Sequence, residues 1–407
     1  MAQSQIVNSS GESYSDNTTT FVHLAGKLLE NATEARQQTI VRDAGTFSNL
    51  YVRATANTTT TASSVITFRK SVADTALAVT YAAAETGAKE DTDSVTVAAT
   101  DECNYQVAVA SNAGTTAITL SIIGITFTPT NSANTITFLS ASTSNNWNNA
   151  SETEFQFING GSAVITAANE TTAQVTMRGS YTLSDFYVFA ESNARTNDTV
   201  FRIRKNTADG NSSITFAAAE TGAKEDTSST ESIVSGDIVN YSVTTGTGTE
   251  LLATSTISCT CISTANEFPL IGTVDAALAQ NFNVTNFKAI SGLIGNSTQA
   301  EADVQIEPNF TFTVKNLNAY VSANTIATSA STITLRDDGA NGNGSLSYAA
   351  AETGHKVDTD SDTITADTDF LNYTIVTPNT SGVLTVRNIS CTGVGTAGAA
   401  TRRRFVA

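Results

Sequence analysis

Three short segments of this 407-residue chain place acidic and basic side chains at one common spacing. Each segment reads Glu-Thr-Gly, any residue, Lys, any residue, Asp and Thr. The charged members are Glu85, Lys89 and Asp91 in the first copy, Glu220, Lys224 and Asp226 in the second, and Glu352, Lys356 and Asp358 in the third. A Glu and an Asp this close could be the acid and the base of glycoside hydrolysis, which uses two carboxyl groups across a sugar.

The same segments have a simpler interpretation as loops. Gly87, Gly222 and Gly354 would supply a position of positive φ, and the Asp would cap the turn into the next strand. An active site seldom survives in every copy of a repeat, whereas a folding determinant must. We therefore predict loops and no catalytic residues, with a repeated contact to a partner as the second interpretation.

Metal and cofactor chemistry has little support in the sequence. Asp91 and Asp93 offer oxygen atoms of the kind that Ca²⁺ binds, as do Asp358 and Asp360. The second copy breaks this pattern, because Asp226 is followed by Thr-Ser-Ser. The two histidines and four cysteines do not make a zinc site, and we expect buried, reduced thiols. Because a phosphate loop and a dinucleotide fingerprint are also absent, we predict neither metal nor cofactor.

The only tryptophan of the chain, Trp147, stands in an Asn-rich stretch at 144–149 that we interpret as an insertion in the second copy. An exposed tryptophan in such a loop could stack on a sugar ring. The other interpretation is that Trp147 is buried at a joint between domains.

The charged segments belong to a longer repeat. The hexapeptide Ala-Ala-Ala-Glu-Thr-Gly begins at Ala82, Ala217 and Ala349, at spacings of 135 and 132 residues, and an Asn-Tyr pair follows each copy. Solenoid repeats are about 20–50 residues long, whereas about 130 residues can bury a core of their own. The sequence therefore predicts three domains, 1–130, 131–266 and 267–395, followed by a tail at 396–407.

Within each copy the apolar residues alternate with polar ones, as in a β-strand. Ile66 and Phe68, for example, alternate with Thr67 and Arg69. In the first copy we count strand-like runs near 20–25, 38–42, 47–56, 64–70, 76–82, 94–98, 103–110 and 116–127. Two segments, 32–38 and 274–282, could each form a short turn or helix. Eight strands per unit predict an all-β fold of three tandem antiparallel jelly-roll β-sandwich domains.

The charge balance narrows the classes of partner. The chain has 21 Lys and Arg against 38 Asp and Glu, which gives a net charge of -17. Binding to nucleic acid or to an anionic membrane needs clustered cations, so we predict neither partner. The first residues lack the cationic start and the apolar core of a signal peptide, so we expect synthesis in the cytoplasm.

Four stretches of the first copy, 44–52, 67–70, 85–87 and 104–105, carry a resemblance to a known kind of repeat. The repeat resembles a jelly-roll unit of phage and marine bacterial proteins, which is similar to tumour-necrosis-factor-like sandwiches. The second copy departs from the pattern at Asp185-Phe186, and the third reads Arg336-Asp337-Asp338. The resemblance implies a place in the virion, in head decoration or cement proteins or in fibre heads.

Together these observations predict a non-enzymatic virion structural protein, a phage capsid decoration or cement protein made in the host cytoplasm. The expected partners are the major capsid protein or other virion subunits, with the chain as a homo-oligomer or an internal pseudo-trimer. The alternative is a carbohydrate-binding adhesin, or a tail or fibre receptor-binding protein, that binds a surface glycan through Trp147. A third hypothesis, a glycan-cleaving enzyme, depends only on the Glu and Asp pairs.

Overall fold

The structure is a computed structural model that describes residues 2–110, 116–161, 167–295, 299–378 and 381–395. Within these ranges the regular structure consists of β-strands and three short 3₁₀ helices, η1 (Glu34–Arg36), η2 (Ala167–Thr172) and η3 (Glu301–Asp303). No helix in the described part of the chain is both long and apolar enough to cross a lipid bilayer.

The strands fall into three stretches of chain, which we call repeats 1, 2 and 3. Repeat 1 contains β1 (Ser4–Ser15), β2 (Thr18–Val22), β3 (Thr39–Ile40), β4 (Gly45–Asn57), β5 (Ser64–Lys70), β6 (Ala73–Tyr81), β7 (Gly87–Val97), β8 (Glu102–Val109) and β9 (Ala117–Pro129).

Repeat 2 contains β10 (Thr135–Trp147), β11 (Thr153–Gln156), β12 (Val175–Thr176), β13 (Tyr181–Asn193), β14 (Thr199–Lys205), β15 (Ala208–Phe216), β16 (Gly222–Asp226), β17 (Glu231–Ile233), β18 (Ile238–Thr245) and β19 (Leu252–Ser263). Repeat 3 contains β20 (Glu267–Asn281), β21 (Thr285–Lys288), β22 (Gly292–Leu293), β23 (Phe312–Asn324), β24 (Ser331–Asp337), β25 (Ala340–Tyr348), β26 (Gly354–Ile364), β27 (Leu371–Val376) and β28 (Val383–Gly395).

Each repeat is a sandwich of two sheets. In repeat 1 the sheet orders are β1-β9-β4-β7 and β2-β8-β5-β6, with β3 paired to β8. The main orders in repeat 2 are β10-β19-β13-β16 and β11-β18-β14-β15, and those in repeat 3 are β20-β28-β23-β26 and β21-β27-β24-β25. The first long strand pairs with the last and successive pairs of strands cross between the sheets, which is the jelly-roll topology. The predicted fold class is confirmed.

Alternation of side chains places the core between the two sheets. On β6, Leu77, Val79 and Tyr81 are buried while Thr80 between them is exposed. Full burial of such a side chain stabilises the fold by about 1.5–3 kcal/mol. Threonine is common on the outer positions because its β-branched side chain fits a pleated surface.

An ion pair between an arginine and a glutamate fixes the 3₁₀ helix of every repeat. Arg69 Nε donates to Glu34 Oε1 at 2.6 Å, so that β5 holds η1. The equivalent pairs are Arg204–Glu170 at 2.8 Å and Arg336–Glu301 at 2.7 Å. These pairs therefore position the residues that follow each 3₁₀ helix, which form the contacts between repeats described below.

Two local expectations were wrong. Segment 4–15 was not counted as a strand, but it forms β1. The sequence pattern did not reveal this strand because residues 4–10 are buried whatever their polarity, so polar and apolar residues do not alternate. One cause is contact with repeat 3, since Ser9 Oγ donates to the carbonyl oxygen of Ser291 at 2.6 Å. Segment 274–282, expected as a turn or helix, lies largely within β20, where pairing with β28 overrides local propensity.

Candidate functional site

The repeated Glu-Lys segment begins in the loop that joins the two sheets between β6 and β7, but Lys89 and Asp91 lie on β7, so the prediction of a loop was wrong for these two positions. Glu85 Oε2 accepts hydrogen bonds from Lys89 Nζ at 2.6 Å and from the Ala82 amide at 2.8 Å. Asn57 Nδ2 donates to the carbonyl oxygens of Ala82 and Glu85 at 3.0 and 2.9 Å. The equivalent ion pairs, Lys224–Glu220 and Lys356–Glu352, are also 2.6 Å long. The charged members of the loop are therefore partnered within their own repeat.

The aspartate of each segment ties one sheet to the other. Asp91 Oδ2 on β7 accepts the Ala78 amide of β6 at 2.7 Å, and Asp91 Oδ1 accepts the Asp93 amide at 2.9 Å. The equivalent bonds are Ser213 N to Asp226 at 3.1 Å and Ser345 N to Asp358 at 2.8 Å. In the described residues no group of three or more His, Cys, Asp or Glu side chains could hold a metal ion.

These contacts do not suit the Glu residues to acid catalysis. The hydrogen bond from Lys89, together with that from the Ala82 amide, holds the pKa of Glu85 below its usual value. The pKa values of Glu220 and Glu352 are lowered by the same contacts. Because the acid of a glycosidase needs a raised pKa, these side chains have the opposite tuning.

The outer surface of the same loop is made of small side chains. Ala82, Ala84 and Thr86 are exposed, and Ala84 has a φ of 58°, where a side chain is strained. The equivalents of Ala84, Ala219 and Ala351, have φ values of 60° and 59°. The fold explains why every repeat has a Glu and a Lys at the positions of Glu85 and Lys89, but within the described part of the chain the exposed side chains meet no partner that would explain their identity in three copies.

Trp147 is not a surface residue, so the sugar-stacking interpretation is wrong. Its relative exposure is 0%, its indole Nε1 donates to Thr254 Oγ1 at 2.9 Å, and its ring meets Phe201 edge-on. Trp147 pairs with Leu252 as Tyr14 pairs with Ile118 in repeat 1, so the tryptophan fills a core position and is not part of an insertion.

Arg195 is a buried cation that sequence reasoning missed. It is 1% exposed, and its Nη atoms donate to five backbone carbonyl oxygens. The acceptors are Trp147 at 3.2 Å, Glu250 at 2.7 Å, Asn149 at 3.4 Å, Gly246 at 2.8 Å and Gly248 at 3.0 Å. The other copies have Thr59 and Ile326 at this position, so a comparison of the three copies does not single out Arg195.

The three repeats contact one another in a ring, through interfaces that we call seams 1–2, 2–3 and 3–1. At each seam a segment of one repeat, which begins at the last residue of its 3₁₀ helix, lies on the sheet of the next repeat that contains β4, β13 or β23. These segments are 36–42 on repeat 2, 172–178 on repeat 3 and 303–309 on repeat 1.

Polar contacts cross each of the three seams. At seam 1–2, Arg42 forms an ion pair with Glu225. At seam 2–3, Asn318 Nδ2 donates to the carbonyl oxygen of Thr176 at 3.3 Å. At seam 3–1, Tyr51 donates its hydroxyl to the carbonyl oxygen of Gln305 at 3.1 Å. A head-to-tail interface repeated three times and closed on itself describes a cyclic arrangement with a pseudo-threefold axis.

Three glycines permit the repeats to meet near this axis. Gly26, Gly160 and Gly292 have φ values of 95°, 81° and 90°. A Cβ atom on Gly160 would lie 2.4 Å from the carbonyl oxygen of Gly292, and one on Gly292 would lie 2.4 Å from that of Gly26. One on Gly26 would lie 2.1 Å from the carbonyl oxygen of Ser140. Close backbone approach therefore requires glycine at each position.

The clefts at the seams are small. Three of them, lined in part by Arg42, by Arg178 and by Ser9, have cavity volumes of about 10, 10 and 30 Å³. Ligand pockets are usually about 300–1,000 Å³. Nucleophilic thiols are not available there either, because Cys103, Cys259, Cys261 and Cys391 are free but buried, and burial raises the pKa of Cys259 and Cys391 to about 12.

No family model and no curated protein matches this chain. Among solved structures, a xanthan lyase of Paenibacillus is 15% identical with a TM-score of 0.19, and the match covers 70% of this chain but only 30% of the lyase chain. A structure described as a triple jelly roll fold and turret assembly in an archaeal virus is 11% identical with a TM-score of 0.20, covering 96% of this chain and 91% of that one. The jelly-roll fold of this chain is assigned from the strand order of its sheets.

Proposed function

We propose that this chain is a non-enzymatic structural protein of a virion, a decoration or cement protein that binds capsid subunits as an internal pseudo-trimer. The observation that carries the proposal is the ring, in which equivalent segments form all three seams. One polypeptide thereby presents the same surface three times about one axis, as a symmetric trimer would. Such a molecule suits a threefold position on a shell.

The three Ala-Ala-Ala-Glu-Thr-Gly loops, 82–87, 217–222 and 349–354, are the contact surface in this proposal. Because a rotation relates the repeats, the loops lie on the same side of the ring. The pairing of Glu85 with Lys89 neutralises the charges of the loop and leaves methyl and hydroxyl groups outermost. Three linked weak contacts exceed one contact in affinity by about 10²–10⁴-fold.

Capsid shells assembled without this chain provide the test. The purified chain is expected to co-sediment with the shells, and mass spectrometry of intact virions is expected to find it. Changing Ala82, Ala217 and Ala349 together to Arg is expected to weaken binding by about 100-fold or more, and one change alone by far less. The matched control changes the exposed alanines Ala73, Ala208 and Ala340 to Arg.

Two failures would have different meanings. A wild-type chain absent from virions and unable to bind shells would refute the virion proposal itself. Wild-type binding that the triple loop variant retains would refute only the role of the loops. The adhesin alternative has lost the residue that motivated it, since Trp147 lies in the core.

A further inference from the structure

Seam 2–3 keeps an arginine of seam 1–2 but lacks the carboxylate that pairs with it. Arg178 corresponds to Arg42, because each follows the residue whose amide donates to the aspartate carbonyl oxygen just before β18 or β8. On the facing sheet, Glu225 pairs with the sixth residue before the end of β13, and Val357 pairs with the sixth residue before the end of β23. Arg42 has Glu225 as its ion-pair partner, whereas the corresponding position at seam 2–3 is Val357.

The guanidinium of Arg178 meets no carboxylate or carbonyl oxygen within the described ranges. Its Nε atom is buried without a hydrogen-bond partner. The carboxylate that contacts the neighbouring Ser180 is already used, since Glu267 accepts Lys315 Nζ and the Ser180 amide, each at 3.0 Å. The residues outside the described ranges contain no Asp or Glu. A partly buried cation without a counterion costs free energy, so a carboxylate from another molecule would be stabilised here.

A histidine adds a second basic group beside Arg178. His355 lies on β26, where the other repeats have Ala88 and Ala223. Its ring stacks on Tyr320 at 4.4 Å, and its Nδ1 lies 3.3 Å from Thr176 Oγ1 across the seam. Desolvation and then the charge of Arg178 lower the pKa of His355, as two neighbouring basic groups require.

A second arginine of repeat 3 lies on the same face of the sheet. Arg387 stands in the bulge of β28, where the other repeats have Ser121 and Ser255. Its Nε donates at 3.1 Å to Ser322 Oγ, which is two residues after Tyr320 on β23. Compared with seam 1–2, seam 2–3 has therefore gained two basic residues and lost one acidic residue, in a chain whose net charge is -17.

The shape of this surface favours a side chain of another protein over an enclosed small molecule. The cleft beside Arg178 has a cavity volume of about 10 Å³, whereas ligand pockets are usually about 300–1,000 Å³. Val357 is 40% exposed and offers an apolar contact next to the basic groups. An acidic side chain that projects from a partner surface can reach such a site without a pocket.

We propose that seam 2–3 binds an Asp or Glu side chain of a partner protein, whose carboxylate lies opposite Arg178 as that of Glu225 lies opposite Arg42. At the other two seams the ring supplies this carboxylate itself, from Glu225 and from Glu90, which accepts Asn309. The site therefore occurs once in the ring. It would orient the ring on its partner, because charge complementarity gives specificity more than affinity. The inference does not depend on the virion proposal.

The experiment is an NMR titration of the full-length chain with a capped Gly-Glu-Leu-Glu-Gly peptide at constant ionic strength. The chain has two histidines, and His23 is fully buried, so its ring signals are the internal reference. Saturating peptide is expected to raise the pKa of His355 by about one unit, a tenfold gain in proton affinity. The control peptide Gly-Gln-Leu-Gln-Gly is expected to have no effect. Acetate and inorganic phosphate are titrated separately.

Two variants make the test specific. Arg178→Gln is expected to weaken peptide binding by about tenfold or more, and Arg202→Gln, at an exposed arginine of the same repeat, is expected to leave it unchanged. Val357→Glu supplies the missing carboxylate, so it is expected to raise the pKa of His355 without peptide and to weaken peptide binding by about tenfold. Val376→Glu makes the same charge change at another exposed valine of repeat 3 and is expected to do neither.

Three results would overturn the proposal. The peptide could leave the His355 signals unmoved, or bind Arg178→Gln and Val357→Glu as tightly as the wild type. Phosphate binding as tight as peptide binding would refute the preference for carboxylates, and acetate binding without peptide binding would refute the protein partner. Each of these results would leave the virion proposal intact, because that proposal depends on the ring and its three loops.

Discussion

Replacement of Arg195 by Met tests whether a buried cation holds one end of repeat 2 together. The guanidinium donates to five carbonyl oxygens from the segments around Trp147 and Gly248, and it is 1% exposed. Met has a similar length but no donor. The Arg195→Met variant keeps most of the volume and removes a donor from each carbonyl oxygen, of which those of Asn149 and Gly246 keep hydrogen bonds from Thr245 Oγ1 and the Ser151 amide.

The expected loss of stability follows from these contacts. A hydrogen bond from a charged donor contributes about 1.5–3 kcal/mol net. Five such bonds do not add in full, because burying the guanidinium costs several kcal/mol. The free energy of unfolding of repeat 2 is therefore expected to fall by about 3–5 kcal/mol, because each buried carbonyl oxygen that is left without a donor costs about 1–3 kcal/mol.

Urea denaturation followed by tryptophan fluorescence is the assay. Trp147 is the only tryptophan and is fully buried in repeat 2, so its emission reports the unfolding of that repeat. With a urea dependence of about 2 kcal/mol per M, the midpoint is expected to fall by about 1.5–2.5 M. Arg202→Met is the control, because Arg202 is 34% exposed and lies 3.5 Å from Asp209. A shift for Arg195→Met no larger than the control would refute the reasoning.

Three further predictions address the core, the axis and the acid response. Trp147→Ala is expected to destabilise repeat 2 by about 3–5 kcal/mol in urea denaturation followed by circular dichroism, and Trp147→Tyr is expected to destabilise it less. A loss of glycan-array binding without a loss of stability would contradict this. Gly160→Ala is expected to enlarge the radius of gyration in X-ray scattering, whereas Gly222→Ala, with no atom within 4 Å of its Cβ, is expected to leave it unchanged. Burial lowers the pKa of His23 to about 3, below its ordinary value. The free energy of unfolding is therefore expected to fall as the pH drops from about 6.5 towards 3. If His23→Gln left this dependence of stability on pH unaltered, the prediction would be contradicted.

The sequence by itself determined the fold class and the internal repeat. Strand periodicity is a local property, so the alternation of Ile66 and Phe68 with polar neighbours was enough to predict β5. The partners of Glu85 are local too, since Lys89 is four residues away and Ala82 three. A loop that satisfies its own charges can be recognised from its residues alone.

Only the tertiary structure decided what lies between the repeats. β1 escaped prediction because repeat 3 covers residues that would otherwise face water, which removes the alternation. The burial of Trp147, the glycines at the axis and the Arg42–Glu225 ion pair depend on contacts between residues more than 100 positions apart. Periodicity records which side of a strand faces its own core, but it does not record which other part of the chain covers the opposite side.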